Sequence, residues 1–216
     1  PAQANLVKYP MAGDKSHQVT LWIYYIKQRK QWKIKTTGDP EQYLTNIAWN
    51  PDEKFIYIAV LNRDQNDLLL NCYNVETGDL VKTLFEEKNE KYVHPMHPML
   101  FVKNHPDQFI WQSERDGYNH LYWYDVDGKL KKQITKGNFV VTDVQGFDAK
   151  GEKIFYTSTA VSPVNRDLYS YHFKSGRTLK LTDANGTHTT TLNDAGTYFI
   201  DAVSYTHLRA HETLMN

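Results

Sequence analysis

The chain has 216 residues, enough for one large or two small domains with a sizeable buried core. Lys+Arg and Asp+Glu both total 25, so charge makes no case for nucleic acid or an anionic membrane, and no apolar stretch approaches the roughly 20 residues of a membrane span. The single Cys72 excludes an intramolecular disulfide framework and a Cys-based zinc cluster, while 15 Tyr, 9 Phe and 5 Trp favour strands over helices.

The opening, residues 1–16, is polar and holds Tyr9-Pro10-Met11-Ala12-Gly13, which reads as a loop. Val19 to Ile26 and Trp32 to Thr36 read as two strands, the outer half of a unit whose inner half is missing. The chain thus begins in mid-pattern, and a fragment of a longer protein is expected. From residue 43 a repeat emerges. Its first strands are Leu44 to Trp49, Met99 to Val102, Val141 to Phe147 and Thr189 to Leu192. Each runs through a turn rich in Asn, Asp, Pro or Gly into a second, apolar strand: Phe55-Ile56-Tyr57, Phe109-Ile110-Trp111, Ile154-Phe155-Tyr156 and Tyr198-Phe199-Ile200. Third strands follow at Leu70 to Tyr73, Leu121 to Tyr124 and Leu168 to Tyr171, and fourth strands carry Leu84, Ile134 and Leu181.

Leu70 to Leu121 spans 51 residues and Leu121 to Leu168 spans 47. A period near 50 with four strands per unit is the sequence sign of propeller blades. A β-sandwich of irregular hairpins is the alternative, but it gives no reason for a repeating register. The expected fold is therefore all-β: a partial β-propeller with three complete four-stranded antiparallel blades (43–85, 97–135, 139–182) and two half-blades (19–36, 187–201). Strands apolar on both faces imply that Trp49, Trp111, Trp123 and Tyr171 are largely buried. After Asp201 the pattern stops, and residues 202–216 read as an irregular or non-native tail.

Few motifs carry chemistry. No Ser sits in a Gly-x-Ser-x-Gly elbow, and there is no Walker loop, His-Glu-x-x-His helix or EF-hand loop. His94-Pro95-Met96-His97-Pro98, with His105 beyond, reads as a rigid loop rather than a metal ligand set, and Glu86-Glu87 as a solvated charged turn. No cofactor and no metal are implied. Blade topology sends the second-to-third hairpin and the blade-to-blade connection to one face. Glu114 to Tyr118, Asn62 to Asp67 and Ala160 to Arg166 should therefore share a face with residues 86–97.

The run WQSERDGYNHLYWYD (111–125), then Ile134 to Val141, then Asn165-Arg166-Asp167-Leu168-Tyr169 resembles the N-terminal propeller domain of dipeptidyl peptidase IV, most closely its bacterial members. Tyr9 to Gly13 is similar to that family's Tyr-Pro-Lys-Ala-Gly. The resemblance implies an eight-bladed propeller capping an α/β-hydrolase domain, in a serine exopeptidase that releases N-terminal dipeptides with Pro or Ala second. It also implies an extracytoplasmic parent, a peptide substrate and the hydrolase domain of the same chain as partners, no nucleic acid, and leaves open a homodimer. The family's triad matches no position here, so this chain alone is expected to lack peptidase activity. Glu86-Glu87 lacks the lead-in of the family's amine-binding glutamates, and that role is not transferred. Tyr92, Glu114 and Arg115 are the candidate substrate-binding residues. For Tyr92 the alternative is packing between blades; for Glu114 and Arg115 it is a purely structural hairpin tip. A non-enzymatic scaffold, such as a TolB-like or WD-type propeller, is the competing reading, since propellers serve many functions.

Overall fold

The structure is a computed structural model, and it describes residues 13–183 and 185–204. Sixteen strands follow in chain order, and no helix occurs among the described residues. Strands β1 (Trp22–Tyr25) and β2 (Lys30–Lys33) form a two-stranded ribbon. The first four-stranded sheet comprises β3 (Tyr43–Trp49), β4 (Phe55–Leu61), β5 (Asp67–Asn74) and β6 (Leu80–Lys88). The second holds β7 (Leu100–Val102), β8 (His105–Ser113), β9 (His120–Asp125) and β10 (Leu130–Gln133). The third holds β11 (Val141–Phe147), β12 (Lys153–Ser158), β13 (Asp167–His172) and β14 (Thr178–Lys180). A second ribbon, β15 (Thr187–Leu192) with β16 (Phe199–Ser204), follows. Each sheet is a meander in sequence order, every pair antiparallel.

The buried clusters show how the sheets stack. Tyr57, Leu68, Leu70 and Leu84 of the first sheet pack with Phe109, Trp111, Tyr122 and Tyr124 of the second. Ile110, Leu121 and Ile134 of the second pack with Ile154, Tyr156, Tyr169 and Tyr171 of the third. Ile23 and Ile34 of the first ribbon pack on Ile56, Ile58 and Tyr73. Odd residues of Phe109–Trp111 thus face one neighbouring sheet and Ile110 faces the other. That is why the central strands are apolar on both faces. A two-sheet sandwich would have a single core between its sheets; here the first and second sheets are each covered on both sides by their chain neighbours, the arrangement of propeller blades.

Two differences from the sequence reading stand out. Trp49 is 49% exposed rather than buried. It ends β3, a first strand at its sheet's edge, and no residue of that strand is fully buried. The strand pattern also continues past Asp201, because β16 pairs with β15 as far as Ser204. Residues 205–216 of the suspected tail lie outside the described residues, as does all of the Tyr9 to Gly13 loop except Gly13.

Glycines let the sheets approach. Gly128, in the turn after β9 with φ +88, would place a Cβ 2.0 Å from the Leu84 carbonyl oxygen of the preceding sheet. Gly151, with φ +72, would place one 1.8 Å from that of Lys103. Only a residue without a side chain fits either position.

Candidate functional site

The β8–β9 hairpin, Ser113 to Asn119, and the connection after β6, residues 88–94, rise on the same face of the arc. They enclose a cleft of about 460 Å³ lined by Glu87, Lys91, Tyr92, His94, Glu114 and Arg115, among others. The three residues singled out in the sequence therefore meet at one place. The connection is anchored from the preceding sheet: Asn89 N–H donates to Asn66 O at 3.0 Å, and Val93 N–H to Gln65 O at 2.7 Å. Both acceptors lie in the β4–β5 hairpin, whose shape Asn62 fixes by accepting the Asn66 and Asp67 amides. The third such hairpin, Ala160 to Arg166, meets the start of β15 instead, with Arg166 O accepting His188 N–H at 2.9 Å.

The hairpin tip is built rigidly. Gly117 takes φ +97, and its N–H donates to Glu114 O at 2.8 Å. Ser113 Oγ accepts the Arg115 amide at 3.1 Å and the Arg115 Nε–H at 3.0 Å, and Asp116 reaches sideways to accept Gln133 Nε2–H at 2.6 Å. Asx and hydroxyl acceptors of this kind preorganise turns.

Arg115 is not a solvated tip charge. Its Nη2 donates to Glu87 Oε2 at 2.9 Å and its Nη1 to the Tyr124 hydroxyl at 2.7 Å. Its guanidinium lies 4.4 Å from the Tyr122 ring centroid, a cation–π distance. Burial disfavours the charged guanidinium, but the Glu87 carboxylate and the Tyr124 hydroxyl outweigh it and hold the pKa above its ordinary value.

Glu87 corrects the reading of Glu86-Glu87 as a solvated turn. It lies in β6 with its side chain 10% exposed, and accepts from Trp111 Nε1 at 3.3 Å, from Ser113 Oγ and from Arg115. Its partners come from 24 to 28 residues away, on the next sheet. No local pattern announces such an acceptor.

Tyr92 is 59% exposed and lines the cleft. Its ring meets His94 edge-on at 6.4 Å, and His94 Nδ1 is 3.8 Å from Glu114 Oε2. An aromatic side chain and a mixed acidic and basic set thus line the same cleft. His105 sits at the opposite end of its sheet, against Gly151, and takes no part.

Comparison with known proteins agrees with this architecture. Residues 2–209 match the family described as dipeptidyl peptidase IV (DPP IV) N-terminal region. The crystal structure of Porphyromonas gingivalis dipeptidyl peptidase 4 superposes with a TM-score of 0.81 at 31% identity, covering 91% of this chain and 28% of that one. A Bacteroides ovatus structure assigned to dipeptidyl aminopeptidase IV gives a TM-score of 0.82 at 37% identity, covering 90% and 30%. A curated relative, dipeptidyl peptidase 4 of Arthroderma otae, is 25% identical over 174 residues, and the chain spans 22% of its length. With the family matched over nearly its whole length and its bladed sheets shared with the solved relatives, the chain belongs to the dipeptidyl peptidase IV N-terminal region family.

Proposed function

We propose that the chain serves as the propeller portion of a dipeptidyl peptidase IV-like serine exopeptidase, which releases N-terminal dipeptides with Pro or Ala second. In this reading the nucleophile, base and oxyanion donors that acyl transfer needs belong to an α/β-hydrolase domain of the same parent, at work outside the cytoplasm. The propeller gates access to that domain and shapes one wall of its site. Tyr92 contacts the peptide, and Glu114 and Arg115 form the cleft wall behind it.

One observation carries this reading: Tyr92, Glu114 and Arg115 converge on a single cleft on the face where hairpins and connections emerge. Arg115 is held by Glu87, Ser113 and Tyr124, so the wall is preorganised rather than assembled on binding. In the parent enzyme, Tyr92→Ala should raise KM for tetrapeptides and longer substrates several-fold, with kcat preserved and little change for a Gly-Pro chromogenic substrate. Such a split removes binding and leaves the chemistry alone. Unchanged KM for both substrate lengths would reject contact between Tyr92 and the peptide.

A further inference from the structure

The turns between third and fourth strands repeat from sheet to sheet, and one of them carries the opposite charge. In the first sheet Asn74 N–H donates to Asp79 O and Gly78 N–H to Asn74 O, both at 2.9 Å. In the third, His172 N–H donates to Arg177 O at 3.0 Å and Gly176 N–H to His172 O at 2.8 Å. Ser175 Oγ accepts the Arg177 amide as Thr77 Oγ1 accepts that of Asp79. The two turns therefore correspond residue by residue. Lys174 stands where the first sheet has Glu76, and Arg177 stands where it has Asp79.

The exchange matters because each turn meets a lysine from the strands before it. Asp79 pairs with Lys35, just past β2, at 2.7 Å, and Asp127, in the second sheet's turn, pairs with Lys82 of β6. Where the third sheet meets the second, no carboxylate answers. Lys132 of β10 reaches the third sheet's turn, with Nζ 2.8 Å from the place a Cβ on Gly176 would take and 5.5 Å from the Tyr171 ring centroid. A bulge between Leu130 and Lys132 breaks the alternation of β10, so Lys131 turns inward as well, its Nζ 4.4 Å from the Trp123 ring centroid. Among the described residues, none of Lys131, Lys132, Lys174 and Arg177 forms an ion pair. Residues 128–142, around β10, and 168–182, around β14, hold no Asp or Glu. The zero net charge of the chain conceals this local excess.

We propose that this junction, on the face opposite the cleft, binds a phosphate group. Cations gathered without a counter-charge repel one another, and an anion between them relieves that repulsion. A phosphate spreads its charge over several oxygens and so answers Lys132, Lys174 and Arg177 together, as a single carboxylate does not. The surroundings hold the cations ready. The Trp123 and Tyr171 rings support the two lysines, and Trp123 Nε1–H is itself fixed by Gln108 Oε1 at 3.0 Å. Ser175 N–H donates to His172 Nδ1 at 3.3 Å, which sets the turn between Lys174 and Arg177. The phosphate is either free or carried on a lipid headgroup, for which Leu130 and Leu179, each 44% exposed on β10 and β14, give apolar flanks.

The test uses the parent protein and two probes at fixed ionic strength. Inorganic phosphate is titrated by calorimetry, and vesicles of phosphatidylglycerol are compared with vesicles of phosphatidylcholine by co-sedimentation. Binding of phosphate is expected. Arg177→Asp, which gives this turn the aspartate of the first sheet, should weaken it roughly tenfold or more with the melting temperature kept, and Lys132→Gln should weaken it as well. Pelleting with phosphatidylglycerol alone, lost in the same variants, assigns the phosphate to a headgroup; titration without pelleting assigns it to the free anion. Lys132, Lys174 and Arg177 are all exposed, and Lys174→Gln replaces either variant if it does not fold. Binding of neither probe, or binding that Arg177→Asp and Lys132→Gln leave unchanged, overturns the inference.

Discussion

Glu87 and Arg115 sit on neighbouring sheets and close a 2.9 Å ion pair between β6 and the tip of the β8–β9 hairpin. The same carboxylate accepts from Trp111 and Ser113, so one side chain ties the strand edge, the core indole and the hairpin tip together. Removing one member of such a set leaves the others without partners in a partly dry site, which costs more than the pair itself is worth. Glu87→Ala is expected to lower stability by roughly 1–3 kcal/mol. Arg115→Met should cost less than Glu87→Ala, because the Glu87 carboxylate keeps its Trp111 and Ser113 donors. A urea-denaturation cycle over both variants checks this; additive effects would show that the two side chains do not interact.

The blades were legible because two independent signals coincide: a spacing near 50 residues and strands apolar on both faces, as in Phe109 to Trp111 and Leu121 to Tyr124. Turn chemistry marked the hairpin tip, and Gly117 does take a positive φ. The cleft was legible only as far as blade topology could place Tyr92, Glu114 and Arg115 on one face. Glu87 was missed because its three partners are distant in sequence, and a Glu-Glu pair beside lysines has the local composition of a surface turn. His120 was missed in the same way. It is fully buried, with Nε2–H donating to Gly137 O at 2.9 Å and Nδ1 accepting from Thr135 at 3.0 Å, and nothing before or after it in the chain shows that need.

Glycines at turn tips and glycines between sheets should respond differently to substitution. Gly117 has φ +97 but no atom within 4 Å of a built Cβ, so Gly117→Ala meets backbone strain alone, about 1 kcal/mol. Gly128→Ala meets the same strain and drives a methyl into the Leu84 carbonyl, forcing the sheets apart, at roughly 2–4 kcal/mol in all. Urea midpoints of the two variants compare them directly. Equal losses would mean that the sheets do not approach as closely at Gly128 as described.

Buried phenols make the fold sensitive to alkali. Burial is the main cause that raises Tyr156 from an ordinary 10.0 to about 12, and it also raises Tyr73, Tyr124 and Tyr169. The folded chain prefers the neutral phenol, so this contribution is complete below pH 10 and is lost as pH rises through 12. At about 1.4 kcal/mol per unit, Tyr156 contributes roughly 2–3 kcal/mol. Stability measured from pH 8 to 12 should be flat at first and then fall above pH 10. Tyr156→Phe should shallow that fall, and an unchanged alkaline slope would show that the Tyr156 phenol ionises as freely folded as unfolded.

Glu114 offers the sharpest separation between a cleft wall and a binding group. Its carboxylate lies 3.8 Å from His94 Nδ1, with side-chain exposures of 38% and 56%, so solvent and salt screen the pair. The backbone of the tip is held by Ser113 and Gly117, and Glu114 contributes its carbonyl rather than its carboxylate. In the parent enzyme, Glu114→Gln keeps the size and the hydrogen-bonding reach and removes only the charge. Its kcat/KM should therefore stay within about twofold of the parent value, equivalent to less than about 0.5 kcal/mol of transition-state stabilisation. A tenfold loss with an unchanged melting temperature would correspond to about 1.4 kcal/mol, and would move this carboxylate from the wall of the cleft into contact with the bound peptide.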